Sequence, residues 1–109
     1  MAKKRAYKTY GNLKGQYPNY LDAVEALGTA VRHAGPLKEK MVQLIQLGAA
    51  AAIRSEGAVH SHTRRALEAG ATPEQIRHAL ISLTSTIGFP TVVAAISWAD
   101  DVMGEGSAS

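Results

Sequence analysis

Three clusters of glycine and proline, Gly35-Pro36, Gly70 through Pro73 and Gly88-Phe89-Pro90, cut this sequence into segments whose apolar residues recur at steps of three and four. That spacing stacks side chains on one face of an α-helix, and the clusters are the natural stops between helices. A first helix is expected to begin near Pro18, with Tyr20, Val24, Leu27 and Val31 on one face. Leu37, Met41, Leu44, Ile45, Gly48 and Ala52 form the stripe of a second, whose alanines from Ala49 to Ala52 leave room for another helix to approach closely. Around Glu56-Gly57-Ala58 a bend or restart is expected, because glycine costs about 1 kcal/mol relative to alanine inside a helix. Val59, Ala66 and Leu67 then face inward on a third helix, which Gly70 stops. Thr72-Pro73-Glu74-Gln75 opens the next, with Thr72 as N-cap and Gln75 completing a capping box. Ile76, Ala79, Leu80, Leu83 and Ile87 line that fourth helix, and Val92, Val93, Ile96 and Val102 line a fifth, with Trp98 alongside. No segment alternates as a half-buried strand does. The expected class is all-α, a compact bundle of about five to six helices.

At 109 residues the chain is long enough for one core. The expected organisation is a basic arm over residues 1–16, a helical domain over 17–103 and a flexible tail over 104–109. Lys3, Lys4, Arg5, Lys8 and Lys14 all precede the first acidic residue, and the rest of the chain, with seven basic and nine acidic residues, has a net charge of −2. The overall +3 therefore belongs to the arm, so neither a nucleic-acid nor a membrane partner is expected. No long apolar run or signal-peptide pattern is present, and the expectation is a soluble, cytoplasmic protein. Cysteine is absent, which excludes from this chain disulfides, thiolate metal sites and thiol nucleophiles.

The densest polar cluster runs from Arg54 to Arg65. On a continuous helix Ser55, Ala58 and His62 share a face, whereas His60 lies about 200° from His62 and pairs with Glu56 four residues earlier. Two sites are implied. His62 is a candidate general acid or base, since imidazole titrates nearest neutrality; the structural alternative is a half-buried histidine bonded to a carbonyl. Glu56 and His60 form a second candidate acid–base pair. Their spacing also suits a metal, with His78 as a third ligand from the next helix, but two ligands do not close a zinc site and an ordinary salt-linked helix surface is the favoured explanation. No metal or other cofactor is assigned. Arg54, Arg64 and Arg65 are candidate carboxylate-binding residues, although exposed arginines need no such role.

Tyr17-Pro18-Asn19-Tyr20, Leu37-Lys38-Glu39-Lys40 and the stretch from Gln43 through His62-Thr63-Arg64-Arg65-Ala66-Leu67-Glu68-Ala69-Gly70-Ala71-Thr72-Pro73-Glu74-Gln75-Ile76 resemble the core pattern of the carboxymuconolactone decarboxylase and alkylhydroperoxidase D-like superfamily. The resemblance covers residues 17–103 and implies the alkylhydroperoxidase D-like helical fold. Laid on this chain, the peroxidase branch's glutamate falls on Gln43, its two cysteines on Ser55 and Ala58, and its histidine on His62. Only the histidine is retained. Peroxide reduction in that branch needs a thiolate to attack oxygen and a second thiol to resolve the sulfenic acid, so a serine and an alanine exclude it chemically.

The decarboxylase branch does not depend on the thiols. The resemblance there implies loss of CO2 from a small carboxylated lactone, a reaction that needs a proton donor and a group to hold enolate charge. In that reading His62 donates the proton, Ser55 hydrogen-bonds the lactone or enolate oxygen, Glu56 with His60 can assist, and Gln43, Arg54, Arg64 and Arg65 contact substrate. The alternative is a non-catalytic small-molecule-binding relative. The family also implies a homo-oligomer, trimer or hexamer, with a small-molecule substrate or ligand as the other partner, and the surplus of apolar helix faces is compatible with that.

Overall fold

The computed structural model describes residues 2–104, with side chains from residue 8 onward. Among them it contains seven helical segments and no strand: α1 (Ala2–Gln16), α2 (Pro18–Arg32), α3 (Glu39–Ala52), α4 (Glu56–Glu68), α5 (Pro73–Ile81), α6 (Thr84–Ile87) and α7 (Phe89–Met103). The all-α expectation is met. Residues 105–109 of the expected tail, and the side chains of Lys3, Lys4 and Arg5, lie outside the described residues. No described helix is long and apolar enough to cross a membrane.

The chain divides into two units, residues 1–37 and 38–109. In the first, α1 packs on α2. The segment expected as a basic arm is helical, with Gly11 and Gly15 inside α1. Each costs about 1 kcal/mol against alanine there, and packing against α2 offsets part of it. The Tyr10 hydroxyl donates to Glu25, and Lys14 Nζ lies 3.1 Å from Glu25 Oε2. One cation of the arm is thus engaged by an acid, and that hydrogen bond and charge raise the Lys14 pKa. The α2 stripe forms as its spacing requires, yet Tyr20, Val24, Leu27 and Val31 are all exposed, Leu27 at 63%. Leu21 is the buried residue of α2.

In the second unit α3 packs chiefly on α4, and α4 and α5 pack on α7. Leu47, Val59, Ala66, Ile76, Leu80, Ala95 and Ala99 are fully buried. The α3 stripe is rotated from the expected one. Gln43, Leu47, Ala50 and Ala51 face inward, while Met41 and Ile45 are exposed about half a turn away. Because α3 is apolar nearly all round, periodicity alone does not choose which face meets a neighbour, and the small side chains of Ala50 and Ala51 favour close contact.

The α3–α4 break falls just before Gly57 rather than at it. Ile53 closes α3, Arg54 turns the chain with φ +56°, and Ser55 caps α4, its Oγ accepting from Ala58 N at 3.4 Å. A non-glycine residue in that conformation costs about 1 kcal/mol. The Arg54 guanidinium donates to Thr91 Oγ1 at 2.9 Å, tying the turn to α7.

The expected end of the third helix is present in full. Gly70, at φ +101°, follows the cap residue Ala69; Ala71 N reaches Ala66 O at 2.9 Å and Gly70 N reaches Leu67 O at 3.0 Å. These are the paired bonds of a Schellman motif. The Thr72–Gln75 capping box has both hydrogen bonds at 3.0 Å. The expected fourth helix is interrupted between Ile81 and Thr84. Ser82 Oγ and Thr84 Oγ1 donate back to the Ala79 and Ile81 carbonyls at 2.6 and 2.7 Å, bonds that compete with helix continuation.

Candidate functional site

α3 and α4 place Glu39, Gln43 and His62 in one hydrogen-bonded chain. Glu39 and Gln43 are one helical turn apart, and Gln43 Nε2 donates to Glu39 Oε2 at 3.1 Å. Gln43 itself is 1% exposed, and its Oε1 lies 2.9 Å from His62 Nδ1. An ionised carboxylate only accepts, so the amide nitrogen of Gln43 must face Glu39 and its carbonyl must face the histidine. His62 Nδ1 therefore carries the proton, and Nε2 presents its lone pair. Nε2 has no hydrogen-bond partner among the described residues.

Burial, and secondarily the charge of Arg65 one turn on, hold the His62 pKa below its ordinary 6.5. The imidazole is neutral at neutral pH, in a defined tautomer, with one nitrogen free. That arrangement can accept a proton and return it to a bound molecule.

The other expected residues separate into groups. Ser55, Ala58 and His62 do lie on one helix, but Ser55 caps its start and stands seven residues, or about 10 Å along the axis, from His62. The capping bond occupies a lone pair of Ser55 Oγ and leaves its proton available. Arg54 is engaged by Thr91, Arg65 is exposed beside His62, and Arg64 is half-buried.

Glu56 and His60 form a distinct cluster, as the spacing indicates. Its third member is Asp101, not His78: the ligand-capable atoms of Glu56, His60 and Asp101 lie within 4.8 Å of one another. His78 is exposed on α5, outside that group. His60 is 3% exposed and its Nε2 donates to Asp101 Oδ2 at 2.9 Å. Asp101 carried no local sequence signal, since it reaches His60 only because α7 packs on α4. Glu39 had one: its position four residues before Gln43.

The sequence profile of the carboxymuconolactone decarboxylase family matches residues 18–101, most of the chain. An uncharacterised protein of Methanocaldococcus jannaschii is 30% identical over 93 residues, 85% of this chain and 87% of its own length. An uncharacterised protein of Haemophilus influenzae is 37% identical over 59 residues, 54% of this chain and 52% of its own. No solved structure matches significantly. With most of its length matched by that profile and a relative of similar length aligned along most of both chains, this protein belongs to the carboxymuconolactone decarboxylase family.

Proposed function

We propose that this protein carries out lyase-type acid–base chemistry on a small carboxylated lactone or carbonyl compound, with His62 as the proton-transfer group. The observation that carries the reading is the Glu39–Gln43–His62 chain, which orients the imidazole and leaves Nε2 without a partner among the described residues. In a decarboxylation the bond between the substrate carbon and its carboxylate breaks, CO2 leaves, and the electron pair passes onto carbon and into the adjacent carbonyl. His62, protonated from water at Nε2, delivers that proton to the carbon and returns to the neutral form. A depressed pKa makes the protonated imidazole a stronger acid, which favours the transfer, while leaving most molecules in the base form at neutral pH.

In this reading Ser55, which retains its O–H, donates to the enolate oxygen, and Arg65, exposed one turn after His62, orients the substrate carboxylate. Arg54, Arg64, Glu56 and His60 stand further from this arrangement in role: Arg54 holds Thr91, and Glu56 and His60 belong to the second cluster.

The protein acts, in this reading, as a homo-oligomer. On the first unit the exposed stripe of Tyr20, Val24, Leu27 and Val31 on α2 supports this, and on the second so do the exposed Met41, Ile45, Ile53 and Phe89, since apolar side chains in such number are usually covered. The deciding experiment is CO2 release from a panel of carboxylated lactones and keto acids by the wild type and by His62→Ala. Turnover lost in the variant, with an inflection below pH 6.5 in the wild-type kcat/KM profile, is the expected result. Equal turnover by the two proteins would refute the assignment of His62.

A further inference from the structure

The second polar cluster has the composition and placement of a cation site. Glu56 and His60 occupy successive turns of α4, and Asp101 comes from the last turn of α7, so the three side chains converge from two packed helices. The imidazole of His60 is almost wholly enclosed, with its side chain 4% exposed, and its Nε2 is aimed into the cluster. The side chain of Asp101 is 49% exposed, which opens the cluster to solvent on one side.

Carboxylates crowd this point. The last turn of α7 carries Asp100 and Asp101 and no basic residue, although the negative end of a helix dipole disfavours carboxylates there. Asp100 is neutralised by Arg77, 2.7 Å away. Asp101 instead faces His60 and a second carboxylate, Glu56, which has no hydrogen bond or ion pair of its own among the described residues. Two carboxylates thus share a small space beside one imidazole, and a dication is the charge that would stabilise the set.

We propose that Glu56, His60 and Asp101 bind a divalent transition-metal ion of the zinc class. One imidazole nitrogen and two carboxylate oxygens suit such an ion better than calcium or magnesium, which favour oxygen alone. Ligands about 2.1 Å from a zinc ion stand roughly 3.0–3.4 Å apart. His60 and Asp101, at 2.9 Å, already span one edge of such a polyhedron, and the ligand-capable atoms of the whole set lie within 4.8 Å of one another. Three protein ligands keep at least one position for water, so the ion would be an open centre clamping α4 to α7. It stands on the opposite face of α4 from His62 and is independent of the chemistry proposed there.

The test uses the full chain without a polyhistidine tag and Zn2+ alone, read by calorimetry and by melting temperature, with Co2+ absorption as a second probe of the ligand set. One saturable Zn2+ per chain, with a raised melting temperature, is expected. Asp101→Asn and Glu56→Gln are each expected to weaken binding by about tenfold or more, and the double variant to abolish it. These partly exposed carboxylates can be changed without opening the core, and circular dichroism confirms the fold of each. His62→Ala and His78→Ala are expected to bind as the wild type does. No saturable uptake at millimolar Zn2+, or uptake unchanged in the double carboxylate variant, would overturn the proposal.

Discussion

Gln43→Leu separates the chemistry of the site from the stability of the fold. The substitution keeps a side chain of similar volume at a position 1% exposed, but removes the acceptor for His62 Nδ1 and the donor to Glu39. The Glu39 carboxylate is exposed, so water replaces its lost bond at little cost. His62 Nδ1–H is left unpaired at a half-buried site, which costs about 1–3 kcal/mol. Against this, a buried leucine contributes about 1.5–3 kcal/mol through removal of its apolar surface from water. The opposing contributions nearly cancel, and urea unfolding is expected to show a change of less than about 2 kcal/mol. Activity has no such compensation: a proton-transfer group that loses its tautomer and orientation is expected to lose about 10²–10⁴ in rate. The tautomer can be read directly from the imidazole nitrogen shifts above pH 6.5. The wild type is expected to be protonated at Nδ1, and the variant to redistribute toward Nε2. A wild-type histidine protonated at Nε2, or a tautomer indifferent to the substitution, would refute the reasoning.

Four further outcomes follow from the same structure. Because the folded His62 pKa lies below 6.5, the unfolded chain binds more protons between the two values, so this group's contribution to stability is lost as pH falls from 6.5 through the folded pKa; in an NMR titration Arg65→Ala is expected to raise that pKa without restoring 6.5, since burial is the larger cause. Thr63 is fully buried with no partner for Oγ1 among the described residues, so Thr63→Val is expected to stabilise the protein by about 1 kcal/mol in urea melts, and a clear loss would show that the hydroxyl is satisfied in solution. Leu47→Ala, at the centre of the second unit and fully buried, is expected to cost about 2–5 kcal/mol by the same measurement.

The amino-acid sequence alone determined where helices stop and start. Gly70 and Thr72 act through bonds to residues within a few positions of themselves, so their effect is local and legible. The partition of His60 and His62 onto different faces is likewise a consequence of helical pitch. Local rules failed where two helices compete for the same apolar surface: α3 is apolar on both flanks, and only its packing on α4 selected Gln43 and Leu47 over Met41 and Ile45. The same packing made Gln43 the acceptor that orients His62, and the packing of α7 on α4 brought Asp101, forty-one residues along the chain, within 2.9 Å of His60. Those contacts depend on which faces meet, a choice made by the summed burial of both helices and by no single stretch of residues.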